Sequence, residues 1–504
     1  MLFLGEATLG FWLATTPVAF LSFLLGWVVY QRFLSPYAGI PGPFWASISR
    51  FWYLQRIRAG DMHRVTKELH RIHGPIVRIA PNEVSISDPA AMKAIYNVKA
   101  GYTKTDFYST QAPNLSPHGD SFTQLDEQKH TFRRRMINSI FSMSQVREAE
   151  CYIDNATQMF MKRMGQFADS GEVFDLSPWL HMYTFDVIGE LFFGRMFGFL
   201  NEGKDIGGYM GAIDIFLPHA IKMAVIPAWM RHFQVLLVPF SRKFRDALKC
   251  FNALTADSIR YVDERVESKA TRTDMLEKLL KISRERAPAF DITDVYTESY
   301  TAIFAGSDTT AIAMRCAIYY LCKNPRAYRK VQAEIDQFHR EGKLSPMVTY
   351  EEANAMPYVI ATIKDAMRIF PSIALTFPRH VPEGGREICG RYFPAGCRVG
   401  VNPFVLHFDK TVFGEDAEVF NPDRWFRPEA KEMNSFMFQF GHGSRECIGK
   451  NIAIMEQYKF LPQFLRAFHV ELANPDKKWE EDNKWFVKQT GIDVRLRRRE
   501  VLAN

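Results

Sequence analysis

The chain has 504 residues, 47% of them apolar and 24% charged, with a net charge of +7. That apolar share is enough for a large core, which excludes intrinsic disorder and a disulfide-stapled fold. The charge is mild for this length, and no dense basic tract with interleaved aromatics occurs, so nucleic acid is not an expected partner. Seven cysteines (Cys151, Cys250, Cys316, Cys322, Cys389, Cys397 and Cys447) form an odd, scattered set without a CxxC pair. Such a set argues against a zinc ribbon and fits a reducing compartment.

From Leu9 to Tyr30 no residue is charged. As a helix this run spans roughly 33 Å, the thickness of a bilayer's hydrocarbon. Trp12 and Trp27–Tyr30 lie near its two ends, where interfacial aromatics belong. Glu6 precedes the run and Arg32 follows it, which puts residues 1–8 in the lumen and the bulk of the chain in the cytosol. The run is too long for a signal peptide and has neither a basic leader nor a small-x-small cleavage site, so 9–30 is predicted to be an uncleaved single-pass anchor. On that topology the sequons at Asn114 and Asn155 stay unmodified. Pro36, Pro41 and Pro43 with Gly39 and Gly42 make 31–45 a stiff, basic, proline-rich linker, and 46–504 reads as one catalytic domain.

Residues 76–87 alternate like two strands joined by a Pro-Asn turn. Helical patterns then dominate, at 124–143, 145–169, 178–195, 240–269, 291–322 and 325–341. Strand-like pieces return at 373–381, 386–393, 397–401 and 485–497, so the class is α+β, mainly α. Residues 215–240 are apolar but broken by Pro218, Pro227 and Pro239. They cannot span a membrane, and Trp229 with its neighbours is expected to dip into the bilayer surface.

Within the helical pattern 291–322 stands Ala302-Ile303-Phe304-Ala305-Gly306-Ser307-Asp308-Thr309-Thr310. The small residues would let a flat ligand lie against the backbone. Gly306 weakens the helix and Thr309 can bond back to a carbonyl, which predicts a local kink. Asp365 and Arg368 share one helix face at i, i+3, and Pro422-Asp423-Arg424-Trp425 follows. His130 and Arg134 share a face at i, i+4, and Arg379 follows Phe377-Pro378. Near the C-terminus, Phe440-Gly441-His442-Gly443-Ser444-Arg445-Glu446-Cys447-Ile448-Gly449 presents one cysteine on a glycine-rich loop ahead of a helical pattern. A thiolate there sits close to a helix N-terminus, which favours negative charge.

These strings resemble the motifs of the cytochrome P-450 family. Residues 440–449 match the haem-binding loop FGxGxRxCxG at all six specified positions, and 305–310 match AGx(D/E)TT. Asp365–Arg368 is similar to the ExxR pair, with Asp in place of Glu, and Arg424 would complete that triad. His130–Arg134 is similar to a WxxxR pair with His for Trp, and the linker resembles the family's proline-rich hinge. The wording of 175–194 and 483–494 is most like the fungal pisatin demethylase-like branch.

The resemblance implies a P-450 fold with haem b between a long kinked helix and the cysteine loop. Cys447 would be the axial iron ligand, with Phe440, Gly441, Gly449, Ala305 and Gly306 against the macrocycle and Arg445, His130, Arg134 and Arg379 neutralising its carboxylates. Asp308 would relay protons and Thr309 would hydrogen-bond dioxygen. Arg133 and Arg135 would belong to a basic surface facing a redox partner. Electrons would come from NADPH through a membrane reductase, with cytochrome b5 as a second donor, in the endoplasmic reticulum membrane. The substrate would be a hydrophobic secondary-metabolite intermediate that is hydroxylated, epoxidised or demethylated, held by 107–122, 300–305, 373–377 and Thr490. Competing readings are a haem-thiolate isomerase or dehydratase, which needs no acid–threonine pair, and a membrane-anchored haem sensor.

Overall fold

The computed structural model describes residues 2–235, 241–268 and 272–500. Helix α1, Leu2–Val29, begins well before the predicted anchor boundary and runs into a π-helical turn, Tyr30–Leu34. Thr15–Leu34 is long and apolar enough to cross a membrane by length and composition. The linker that follows is not free of the globule. Trp27 Nε1 donates to the Ile48 carbonyl at the end of α2, Phe44–Ile48, over 2.8 Å. Buried Arg78 donates to the Gln31 carbonyl at 2.7 Å, to Gln31 Oε1 and to the Pro81 carbonyl, and its own N–H bonds the Pro41 carbonyl.

The predicted pair of strands is present as β1, Ile76–Ala80, and β2, Glu83–Ile86, turning at Pro81-Asn82. With β3, Thr103–Lys104, β4, Arg379–His380, and β5, Arg398–Val401, they form a five-stranded sheet in the order β1-β2-β5-β4-β3. Only the β2–β5 pairing is parallel. The strand pattern at 373–381 thus condenses to two residues, because the chain before Arg379 is occupied in crossing the site.

The helical patterns appear, some of them shortened or split. The first becomes α3, Glu127–Ile137, capped by Asp126 and continued by a 3-10 turn. The next splits into Met143–Arg147 and Glu150–Ser170. Then come α4, Leu176–Phe193, α5, Tyr209–Val225, α6, Arg242–Ser268, α7, Ile292–Lys323, α8, Pro357–Ile369, and α9, Lys450–Ala467. Helix α5 carries Pro218 within it and is followed by a short helix, Ala228–Val235, with Trp229 and Phe233 exposed. Residues 236–240, the end of the predicted apolar segment, lie outside the described residues.

Helix α7 is the central rod. A capping box between Asp291 and Asp294 starts it, and it remains continuous through the small-residue stretch. Helix α4 lies directly against it: Thr184 Oγ1 donates to the Ser307 carbonyl at 2.7 Å, and a Cβ added at Gly306 would meet Ile188 Cδ1 at 2.5 Å. Near the C-terminus, β6, Glu480–Lys484, and β7, Phe486–Thr490, form a hairpin. Gln489 Nε2 of that hairpin donates to the Ile312 carbonyl of α7.

Candidate active site

The cysteine loop is shaped by its glycines. Gly441 and Gly443 have φ of +71° and +72°, a region costly to any residue with a Cβ. A Cβ at Gly443 would lie 1.9 Å from the Tyr96 carbonyl oxygen, so this position packs against backbone. The Cys447 N–H returns to the Phe440 carbonyl at 2.8 Å, closing the loop just before α9. Around Gly449, an added Cβ would find only the Cys447 sulfur, at 4.0 Å, within contact range.

Cys447 is accessible to solvent-sized molecules although protein surrounds it, so it lines an interior cavity. Burial pushes its thiol up, against the pull of the Gly449 N–H and Arg134. Burial thus outweighs the helix terminus that the sequence suggested would favour a thiolate. Helix α7 has an accessible stripe of its own, through Thr301, Ala302, Ala305 and Thr309. Thr309 Oγ1 bonds back to the Ala305 carbonyl at 2.7 Å, and the Thr309 carbonyl accepts from Ser372 Oγ at 2.7 Å.

Asp308 is not on that stripe. Gly306 is partly accessible beside that stripe, while the side of it that a Cβ would occupy is filled by Ile188 of α4. Asp308 is sealed inside the protein, its Oδ1 at 2.9 Å from both His181 Nε2 and Lys488 Nζ. These are ion-pair distances at angles too oblique for hydrogen bonds.

Four basic side chains predicted from the sequence are brought together, and a fifth joins them. Arg445 Nε and Nη2 pair with Glu127 at 3.1 and 2.7 Å, while its buried Nη1 has no partner. Arg379 Nη1 donates to the Tyr108 hydroxyl at 2.7 Å, and Arg134 Nη2 to the Glu446 carbonyl at 2.8 Å. His130 is buried with both ring nitrogens unpartnered. Burial pulls it down to about 3, with Arg445, Lys104, Arg134 and Arg379 adding to the effect. Lys104 is the fifth; burial, Arg379 and Arg445 hold its ammonium well below its ordinary range. The sequence hint was a lone lysine in an aromatic stretch, between Tyr102 and Phe107. Basic groups that suppress one another's protonation, with Glu127 and Asp120 as nearby anions, suit a polyanionic ligand.

The family model for cytochrome P450 matches residues 41–494. The chain belongs to the cytochrome P450 family. Among curated relatives of this P450, the cytochrome P450 monooxygenase gsfF of Penicillium aethiopicum is 37% identical, over 97% of this chain and 99% of its own. Pisatin demethylase of Fusarium vanettenii is 34% identical, over 96% and 94%. The monooxygenase cicH of Emericella nidulans is 35% identical, over 91% and 93%.

The family carries haem iron, and this P450's residues fit it. Cys447 offers sulfur to a cavity, no Cβ intrudes at Gly449, and unpartnered Arg445 Nη1 and the His130 nitrogens suit carboxylates. Arg445→Ala is expected to weaken haem binding by about 10–100-fold, since a charged hydrogen bond contributes ~1.5–3 kcal/mol. Spectral titration of haem into the variant checks this.

Two other expectations are corrected. Arg133 does not face a partner surface: it is buried and pairs with Asp294 at 2.6 Å and Glu298 at 2.8 Å of α7, while Arg135 is exposed. Thr490 is exposed at the far end of β7. Trp485, at the hairpin turn with φ of +95°, instead stacks near Phe107 and Phe377, at ring distances of 5.2 and 5.6 Å.

Proposed function

We propose that this P450 is a membrane-anchored monooxygenase that inserts one oxygen atom from dioxygen into a hydrophobic intermediate of fungal secondary metabolism, with electrons from NADPH through a reductase. The observation that carries this is an accessible Cys447 surrounded by protein, together with an accessible stripe of α7 that ends at Thr309. Bound haem iron supplies the oxygen-activating chemistry, which thiolate ligation favours.

The chain's own share is ligation, charge balance, proton supply and exclusion of water. Cys447 holds the iron, and Lys104, His130, Arg134, Arg379 and Arg445 hold the carboxylates. Ala305 leaves space beside the iron. Thr309, whose hydroxyl rests on the Ala305 carbonyl, can turn that hydroxyl toward dioxygen, and Asp308 supplies protons from behind. Phe107, Phe377 and Trp485 form a packed aromatic cluster, which suits a hydrophobic substrate. The intact Asp308–Thr309 pair favours this reading over an isomerase, and exposed Arg135 suits a reductase of acidic surface.

Exposed Phe33, Leu34, Phe44, Trp45, Trp229 and Phe233 continue the apolar character of α1 onto the globule, which suits a domain resting on the cytosolic face of the endoplasmic reticulum. The relatives' names, a demethylase among them, support the secondary-metabolite assignment.

The deciding experiment removes the coding sequence from the organism that makes the protein and compares small-molecule extracts by high-resolution mass spectrometry. A precursor one oxygen poorer than a vanished product is expected. Identical extracts, under conditions where the parent makes the protein, would refute the reading.

A further inference from the structure

Trp485 stands between β6 and β7, and its φ of +95° lies in a region that a bulky side chain enters only under constraint. Fully buried Asn483 supplies much of that constraint. Its Oδ1 accepts the Trp485 N–H at 3.3 Å, and its Nδ2 donates to the Ala374 carbonyl at 3.0 Å. Its own N–H donates to the Gly60 carbonyl at 2.9 Å. Beyond the turn, the Val487 N–H donates to the Ser372 carbonyl at 3.0 Å, and Ser372 Oγ is the group that bonds the Thr309 carbonyl. The turn is thus tied to residues 372–374 and, through them, to the accessible stripe of α7.

What the strained turn presents is an indole. Its ring packs with Phe107, Phe377 and Tyr108 at ring distances of 5.2, 5.6 and 6.3 Å, and the residue is 2% exposed. Phe377 in turn meets Phe438, two residues before the cysteine loop, at 5.3 Å. Among the described residues nothing accepts from Trp485 Nε1, yet that nitrogen is not sealed in the packing, as Nε1 of Trp425 is. A donor so placed bonds water until a ligand displaces it. A ligand without an acceptor would take the water away and leave the N–H bare, which costs affinity.

We propose that Trp485 is a specificity-determining residue whose indole N–H donates to an acceptor oxygen, a carbonyl or an ether, on an otherwise apolar aromatic substrate. This rests on the reading of a hydrophobic substrate above. The rings of Phe107 and Phe377 accept any flat body of the right size. The N–H fixes which end of that body lies at the hairpin, and so which C–H bond is offered for oxidation. A plain hydrocarbon has nothing to give this donor and is disfavoured.

The test titrates the haem-loaded full chain with fluorenone and with fluorene, probes of nearly the same shape of which only the first carries an acceptor, and reads the Soret shift on binding. The parent should bind fluorenone about three- to tenfold more tightly, against the order that their apolar surfaces alone would give. In Trp485→Phe, which keeps a ring on the turn and removes the donor, the two probes should bind alike. Ultraviolet resonance Raman difference spectra should show an indole N–H bond formed with fluorenone, absent with fluorene and absent in Trp485→Phe. Should Trp485→Phe fold poorly, the parent's own preference and its Raman difference decide. Equal affinities in the parent, tighter fluorene, or a preference that survives in Trp485→Phe would each overturn the proposal. Were the N–H to hold a haem carboxylate instead, Trp485→Phe would shed haem while its preference stayed parental, which also overturns it. A parent that binds neither probe would overturn the hydrophobic-substrate reading itself.

Discussion

Cys447→Ala should fold, fail to ligate haem iron through sulfur, and lose product formation to the detection limit. The substitution removes one sulfur from a cavity wall, and the loop is shaped by Gly441, Gly443 and the Cys447 N–H, all of which remain. The ligand is what disappears. Haem binding at a hundredfold excess over Kd stabilises a fold by ~2.7 kcal/mol, so the variant's thermal midpoint should fall by a few degrees relative to the loaded parent. A pH signature accompanies this. Burial raises the thiol, so iron must displace a proton from it, and affinity should climb about tenfold per pH unit until the raised value is reached. Acidification therefore strips haem from the parent, whereas in Cys447→Ala this dependence is gone. Haem-to-protein ratios across pH, for both proteins, check it.

Arg368→Ala should lower the unfolding free energy by about 3–5 kcal/mol, the cost of leaving a buried charge without its partner. Arg368 is fully buried; its Nε donates to Asp365 Oδ1 at 2.7 Å and its Nη2 to Oδ2 at 3.3 Å. Arg424 Nε stands 2.9 Å from the same carboxylate, and the Asn421 N–H donates to it at 2.6 Å. Arg368 also bonds the carbonyls of His407, Ala417 and Val419. His407 continues the chain of contacts, since its Nε2 accepts the Phe438 N–H at 2.8 Å, two residues before the cysteine loop. The damage should thus reach the cofactor: the variant should lose haem well before it unfolds, which parallel chemical denaturation by Soret absorbance and circular dichroism would reveal. An unchanged denaturation midpoint would contradict this account.

The aspartate in that network shows how far the sequence alone could go. The sequence showed a shorter acid than the family's glutamate, but not how it would reach Arg368. The structure makes direct contact, because Asp365 and Arg368 lie one turn apart on α8 and the guanidinium approaches side-on through Nε. Spacing revealed the pair but not its geometry.

Elsewhere, legibility followed locality. The cysteine loop, the capped start of α7 and the turn between β1 and β2 are specified by residues adjacent in sequence, and they were readable. The packing of Ile188 of α4 against Gly306, over a hundred residues away in sequence, could not be read from the motif. Arg133 was misread for the same reason, its carboxylates being on α7. Lys104 and Lys488 gain their meaning from Arg379, Asp308 and Asp214, and no motif marks them. Charges paired across elements look, in one dimension, like ordinary surface.

The bonding of Arg78 to Gln31 fixes where this enzyme can be trimmed. A soluble version cut just past the apolar helix, at Ser35 for instance, would strip a buried guanidinium of both Gln31 acceptors and would also free the Ile48 carbonyl from Trp27. Detergent-free preparations should therefore keep Gln31 and replace the exposed apolar residues before it, instead of deleting up to the prolines. In the intact chain the same bonds make the last turns of the apolar helix part of the globule's floor, so the helix leaves the globule in a set direction, like a mast stepped into a keel.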